Sequence, residues 1–323
     1  IWRYNAIGKT MLNKNIAKNL LFVTIFCAIL AILANCSLIS SNNNNSSNES
    51  AENLNTKYSK PKVVGTIKSN EITESSGLVN SRCDPNIFWT HNDSGGSEFI
   101  YAINEKGEKL GTWKVTGAKN NDWEDIATIK DKSGKCFLYL GDTGNNSGSK
   151  SQFTIYKVAE PKVTETDKSS TKKKPSMTET AEEFKFKYTD GNPDAETLLV
   201  HPLTGEIYVL TKKMLGASEI FKIGTKIESV GSVSVPAIPN GFLTGGEISP
   251  DGKHVVLCDY SGGYEIDLPK GAKNFDEIWK QDVTKFDLGN REQGESICYS
   301  SDGKRIYAGS EKKNSPIIRV DRK

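Results

Sequence analysis

Five glutamates stand at the head of short apolar stretches. Glu74 opens Glu-Ser-Ser-Gly-Leu-Val, Glu124 opens Glu-Asp-Ile-Ala-Thr-Ile, and Glu196 opens Glu-Thr-Leu-Leu-Val. Glu247 opens Glu-Ile-Ser-Pro-Asp-Gly and Glu295 opens Glu-Ser-Ile-Cys-Tyr. A second charged set closes the apolar run that follows each of them: Asp93, Asp142, Lys212, Asp259 and Glu311. Carboxylates gathered in one place cannot all stay charged alone. They take up protons, pair with a cationic side chain or bind a metal ion. Donor sets made only of oxygen suit Ca²⁺ or Mg²⁺ rather than zinc, so the five glutamates are candidate Ca²⁺ ligands. A purely structural role is equally open, in which each glutamate accepts backbone N–H groups from the neighbouring repeat.

Less symmetric residues surround these charges. His91-Asn92-Asp93-Ser94-Gly95 and Gly141-Asp142-Thr143-Gly144-Asn145-Asn146 are polar and glycine-rich, and Trp123 precedes Glu124. With Lys212, Asp259 and Glu311 they make a candidate ligand-binding set: His91, Asp93, Trp123, Asp142, Lys212, Asp259 and Glu311. Residues 141–149 lack the Gly-Lys-Ser/Thr of a phosphate-binding P-loop. The chain has no Gly-x-Ser-x-Gly elbow and no histidine pair with metal spacing. His201 and His254 fall at turns and read as surface residues.

The glutamates recur about every fifty residues, with one longer interval between Glu124 and Glu196. A fixed period of this size marks a stacked or radial array. Each unit resolves into short β-branched and aromatic runs separated by Gly, Asn, Asp and Pro, as strands and hairpins require. Ser249-Pro250-Asp251-Gly252 and Ser301-Asp302-Gly303 are turns of one kind. The last unit has three strands, and the stretch Val63–Lys68 before the first unit supplies a fourth, removing an open edge. The expected fold is therefore all-β, a five-bladed β-propeller of four-stranded blades over 63–323, closed by an N-terminal strand. Residues 161–180, rich in Lys, Thr and Ser, read as an inserted flexible loop that accounts for the long interval. In this ring the glutamates head the inner strands and gather at one channel mouth.

The 323 residues carry 42 basic and 40 acidic side chains, a net charge of +2, with no basic face to suggest nucleic acid. Residues 1–36 read as upstream residues followed from Met11 by a signal peptide, with Lys14, Lys18 and the apolar run Leu20–Ala34. That run is shorter than the roughly 20 residues that span a bilayer. Leu33-Ala34-Asn35-Cys36 resembles a bacterial lipobox, in which Cys36 is acylated. Residues 37–62 are polar and Asn/Ser-rich, and read as a disordered tether. These features place a monomeric domain at the bacterial cell envelope, anchored to a membrane by lipid. An exported location permits disulfides, so a Cys83–Cys136 bridge is open, whereas Cys258 and Cys298 lie in apolar strands and read as buried thiols.

His-Asn-Asp-Ser-Gly (91–95), Asp-Trp-Glu-Asp-Ile-Ala (122–127), Gly-Asp-Thr-Gly-Asn-Asn (141–146) and Asp-Ala-Glu-Thr-Leu (194–198) resemble an exported bacterial β-propeller lipoprotein family over about residues 63–323. A weaker resemblance is to calcium-dependent apyrases, five-bladed propellers that hold a central calcium. It implies Glu74, Glu124, Glu196, Glu247 and Glu295 as ligands. The expected function is binding of a ligand or protein partner at the acidic mouth. The alternative is a calcium-dependent hydrolase of phosphoesters or glycans.

Overall fold

The computed structural model describes residues 57–93, 95–236 and 242–323. The signal segment, Cys36 and residues 37–56 of the expected tether lie outside them. The described residues, within the compact unit Asn53–Lys323, form a five-bladed β-propeller. Blade 1 holds β2 (Ser75–Asn80), β3 (Phe88–Asn92), β4 (Phe99–Ile103) and β5 (Lys109–Lys114). Blade 2 holds β6 (Trp123–Lys130), β7 (Cys136–Asp142), β8 (Phe153–Ala159) and β10 (Glu182–Phe186). Blade 3 runs through β11 (Ala195–Val200), β12 (Ile207–Thr211), β13 (Ser218–Ile223) and β14 (Ile227–Val233). Blade 4 runs through β15 (Gly245–Ile248), β16 (His254–Cys258), β17 (Gly262–Asp267) and β18 (Thr284–Asp287). Blade 5 comprises β19 (Gly294–Tyr299), β20 (Arg305–Ser310) and β21 (Pro316–Asp321), completed by β1 (Lys62–Thr66). β1 lies antiparallel to β21, with Lys62 opposite Arg319 and Thr66 opposite Pro316, so the expected closure holds.

A blade buries both faces, which is why its strands read as near-continuous apolar runs. Alternate side chains go to opposite seams. Phe88 packs with Cys298, Tyr307 and Ile317 at the blade 5–1 seam, whereas its neighbour Trp89 packs with Trp113, Trp123 and Leu138 at the blade 1–2 seam. Five apolar clusters, one per seam, make up the core. The turn at 249–252 forms as its residues dictate: Gly252 has φ 71° and donates its N–H to the Ser249 carbonyl at 2.8 Å.

Three sequence expectations change. Residues 161–180 carry a 3₁₀ turn at Glu165–Ser169 and β9 (Ser176–Met177), which pairs parallel with β5 as a fifth strand of blade 1. Lys172 donates its N–H to Glu71 at 2.7 Å, and Lys109 pairs with the same carboxylate at 2.5 Å. The insertion is polar because it straps an outer edge through hydrogen bonds and not through a core. Second, the tether ends earlier than residue 62. Tyr58 is buried, stacks on Phe286 at 4.4 Å and donates its hydroxyl to Glu265 at 2.5 Å. Third, His201 is buried, with Nδ1 accepting the N–H groups of Leu203 and Thr204 and the ring edge-on to Phe275.

The Cys83–Cys136 disulfide joins blades 1 and 2, with the Cα atoms 6.1 Å apart, and Cys258 and Cys298 are free and buried. Among the described residues no helix is long and apolar enough to cross a membrane.

The closing segment is tested by two substitutions. Tyr58→Ala should cost about 3 kcal/mol of unfolding free energy, read in urea, because it opens a cavity and strips Glu265 of a donor. Val63→Ala, at an exposed position of β1, should stay within about 0.5 kcal/mol. Equal losses would mean that the segment does not seat as described.

Candidate functional site

A single small pocket takes side chains from all five blades, which places it on the ring axis: Ser76 and Asp93 from blade 1, Glu124 and Asn146 from blade 2, Glu196 and Lys212 from blade 3, Tyr260 from blade 4, and Gln293, Glu295 and Glu311 from blade 5. Its volume is about 170 Å³.

Backbone register decides which glutamates reach it. The antiparallel pairing skips one residue between Trp123 and Asp125, between Ala195 and Thr197, and between Gly294 and Ser296. The skipped residues are Glu124, Glu196 and Glu295, and such bulges re-aim a side chain. In blade 1 the irregularity falls between Ser75 and Leu78, so Ser76 takes the bulge position and Glu74 comes two residues early. In blade 4, β15 pairs with β16 without irregularity, and Glu247 lies two residues past Gly245. The backbone confirms this alignment. Asp93, Lys212 and Glu311 donate their N–H groups to the carbonyls of Glu74, Asp194 and Gln293 at 3.0, 3.0 and 2.8 Å. Glu74 is therefore the counterpart of Asp194, not of Glu196.

The five expected glutamates thus part company. Glu124, Glu196 and Glu295 line the pocket, and Glu74 is exposed at its edge. Glu247 is buried deeper, paired with Arg82 at 2.8 Å and accepting the N–H of Tyr299 at 2.7 Å. Of the other expected residues, Asp93, Lys212 and Glu311 line the pocket. His91 is fully buried and edge-on to Trp123, which donates its indole N–H to the Lys119 carbonyl inside the core. Asp142 holds Lys150 at 2.6 Å and accepts the Asp122 N–H at 2.9 Å, so it supports the pocket wall from behind. Asp259 caps its own turn, accepting from Ser261, Gly262 and Tyr264. Sequence reasoning missed Ser76, Asn146, Tyr260 and Gln293, together with the carboxylates of Asp122 and Asp194 beside the pocket. The repeated Asp-x-Glu of Asp122-Trp123-Glu124 and Asp194-Ala195-Glu196 was the available signal.

Two electrostatic halves result. On one side Lys212 pairs with Glu196 at 2.5 Å, hydrogen-bonds Tyr260 at 3.0 Å, and lies 4.6 Å from the Phe242 ring centre. Burial opposes its charge, yet Glu196 and Tyr260 raise its pKa above the ordinary lysine value. On the other side Glu124 is buried and its Oε1 has no hydrogen-bond partner among the described residues. One oxygen each from Asp93, Asp122 and Glu124 lie within 4.8 Å of one another, as do one each from Glu124, Asp194 and Glu196. A Cβ at Gly144 would overlap Glu124 Oε1 and press on the Asp122 carboxyl, so only glycine leaves these two oxygens room. Burial, then the charges of Glu196, Asp93, Asp122 and Asp194, push the Glu124 pKa well above the usual carboxylate range. Burial and Asp93 raise Asp122 to about 6, and burial raises Glu295 to about 7.

Comparison of the chain with protein-family models and with curated proteins returns no match. The resemblances drawn from the motifs are supported at the level of the five-bladed propeller.

The raised carboxyls set a pH dependence. Asp122 (about 6), Glu295 (about 7) and Glu247 (about 7, from burial) keep protons in the folded chain that the unfolded chain releases near 4. Stability contributed by the protonated form is present at low pH and is lost as pH rises through these folded values. In chelator the unfolding free energy should therefore fall between about pH 5 and 7.5, by on the order of 3 kcal/mol. Glu247→Gln should flatten that slope. A rise over the same window would mean that these groups are not buried as described.

Proposed function

We propose that this propeller is a binding module that takes a hard divalent cation, Ca²⁺ foremost, in its axial pocket and contacts its ligand or partner there. The observation that carries the reading is Glu124 Oε1, a buried carboxylate oxygen without a donor, set among the carboxyls of Asp93, Asp122, Asp194 and Glu196. An unpaired buried charge is costly, and a cation removes the cost. Calcium takes oxygen ligands at 2.3–2.6 Å. Oxygens bound to one ion at that range lie at most about 5 Å apart, and those of each trio fall within 4.8 Å. The donors are all oxygen, which favours Ca²⁺ or Mg²⁺ over zinc.

Binding is preferred to hydrolysis on the chemistry of the lining. Its two hydroxyls are engaged, Ser76 donating to the Glu124 carbonyl at 2.6 Å and Tyr260 bonded to Lys212. No histidine or cysteine is among the described lining residues. Acylation of Cys36 would hold the module at the cell envelope.

Two measurements test this. Adding Ca²⁺ to chelator-stripped protein should raise the melting temperature, by the equivalent of about 2.7 kcal/mol at a hundredfold excess over the dissociation constant. Glu124→Gln should abolish that response while folding normally; a wild-type chain indifferent to Ca²⁺, Mg²⁺ and Mn²⁺ would reject the reading. Separately, the full chain expressed in a bacterium should partition into detergent, and Cys36→Ala should move it to the aqueous phase. Equal partitioning of both would reject the anchor.

A further inference from the structure

We infer that the axial pocket holds two divalent cations, not one, bridged by the carboxylate of Glu124. The inference rests on the cation-binding reading above and extends it. Glu124 belongs to two separate trios of converging oxygens, one completed by Asp93 and Asp122, the other by Asp194 and Glu196. The trios share no other residue. Asp93 follows the second strand of blade 1, whereas Asp194 and Glu196 belong to the head of blade 3, so the two sets approach Glu124 from different blades. A carboxylate has two oxygens and can give one to each ion, which is the usual bridge in sites whose metals stand about 3.5–4 Å apart.

Charge points the same way. Seven carboxyls, those of Asp93, Asp122, Glu124, Asp194, Glu196, Glu295 and Glu311, crowd this pocket, and among its described lining residues Lys212 supplies the one ammonium. Burial makes charge here expensive, and two divalent ions match more of these carboxyls than one does. The cluster alone would not carry the inference. Two further facts do. Glu124 Oε1 is buried and has no donor. A Cβ at Gly144 would press on both the Glu124 and the Asp122 carboxyls, so glycine lets the two converge against the backbone here.

The Asp-x-Glu pairing occurs only where the two trios meet. Blades 2 and 3 supply Asp122/Glu124 and Asp194/Glu196, while blade 5 has Gln293 in place of the aspartate and blade 1 has Ser76 in place of the glutamate. Gln293 gives the acids on its side hydrogen-bond donors, to Glu295 at 3.0 Å and to Glu311. The two trios of converging acids are thus confined to one arc of the ring.

Equilibrium dialysis of the chelator-stripped full chain against Mn²⁺ tests this, with electron paramagnetic resonance of the loaded protein. Two ions per chain are expected, with the six-line Mn²⁺ spectrum broadened by coupling between neighbours. Asp93→Asn and Asp194→Asn should each reduce the count to one and restore a simple six-line spectrum. One ion per wild-type chain, with an uncoupled spectrum, would overturn the second cation and leave the single-cation reading standing. Two ions with uncoupled spectra would overturn the bridge. No bound ion would overturn both readings. The wild-type count and spectrum decide the matter even if a variant fails to fold.

Discussion

The pairing of β1 with β21 is the constraint on which the rest depends. It joins the two ends of the described chain within one blade, Lys62 opposite Arg319, and turns a row of five sheets into a ring. Without it blade 5 would present the open edge of β21. The seam between them is apolar, with Leu78, Phe88 and Ile67 against Cys298, Tyr307 and Ile317. Closure also creates the axial pocket, since a pocket lined from all five blades exists only in a closed ring. Tyr58 extends the closing strand into the blade 4–5 seam, where Glu265 receives Tyr58, Tyr299, Lys57 and Arg322 together.

Acidic residues along the axis fall into two kinds. Asp125 is fully buried, yet it accepts the N–H groups of Ile126 and Leu198 at 2.8 and 3.0 Å and that of Gly246 at 3.4 Å. It ties blade 2 to blades 3 and 4 through backbone alone. Glu247 reaches Arg82 of blade 1 and the backbone of blade 5. These acids do the bracing that a structural reading of the glutamates expects, through hydrogen bonds to the backbone of neighbouring blades. Glu124 differs in having one oxygen without a hydrogen-bond partner among the described residues. The structural and the cation-binding readings of the acidic repeat are therefore both right, for different residues.

Most of the fold was legible because it depends on local pattern. Strand runs, turns and the fifty-residue period are all written in near neighbours, and the orphan strand before the first unit was visible as a remainder. The site was less legible because it depends on register. A glutamate in each repeat looks like one position seen five times, but in blade 1 it stands two residues before the bulge, blade 4 has no bulge at this pairing, and side-chain direction in a strand alternates with each step. Glu74 and Glu247 were misassigned for that reason, and Asp142 because its strand meets Trp123 one position earlier than the pattern implied. The strap at 161–180, Tyr58 and His201 were missed for another reason. Their partners, at Glu71, Glu265 and Phe275, are remote in sequence, and polar residues that hydrogen-bond to a distant edge look the same as polar residues in solvent.

Two departures from five-fold symmetry fall at the blade 1–2 junction. The disulfide Cys83–Cys136 and the strap carrying β9 both bind blade 2 to blade 1, on top of the apolar seam that contains three tryptophans. Asp93 meets Asp122 and Glu124 across that same junction. Like charges brought this close repel, and a repulsive pocket widens its seam unless something else holds it shut. A disulfide limits the unfolded chain and not the folded one, but the strap and the tryptophan contacts act on the folded ring directly. Reinforcement placed where the acids converge is what a preorganised cation site needs, because ligands held in place beforehand lose less entropy when the ion arrives. Among the described residues blades 3 to 5 carry no disulfide, and there Lys212 pairs with Glu196 and Gln293 donates to Glu295.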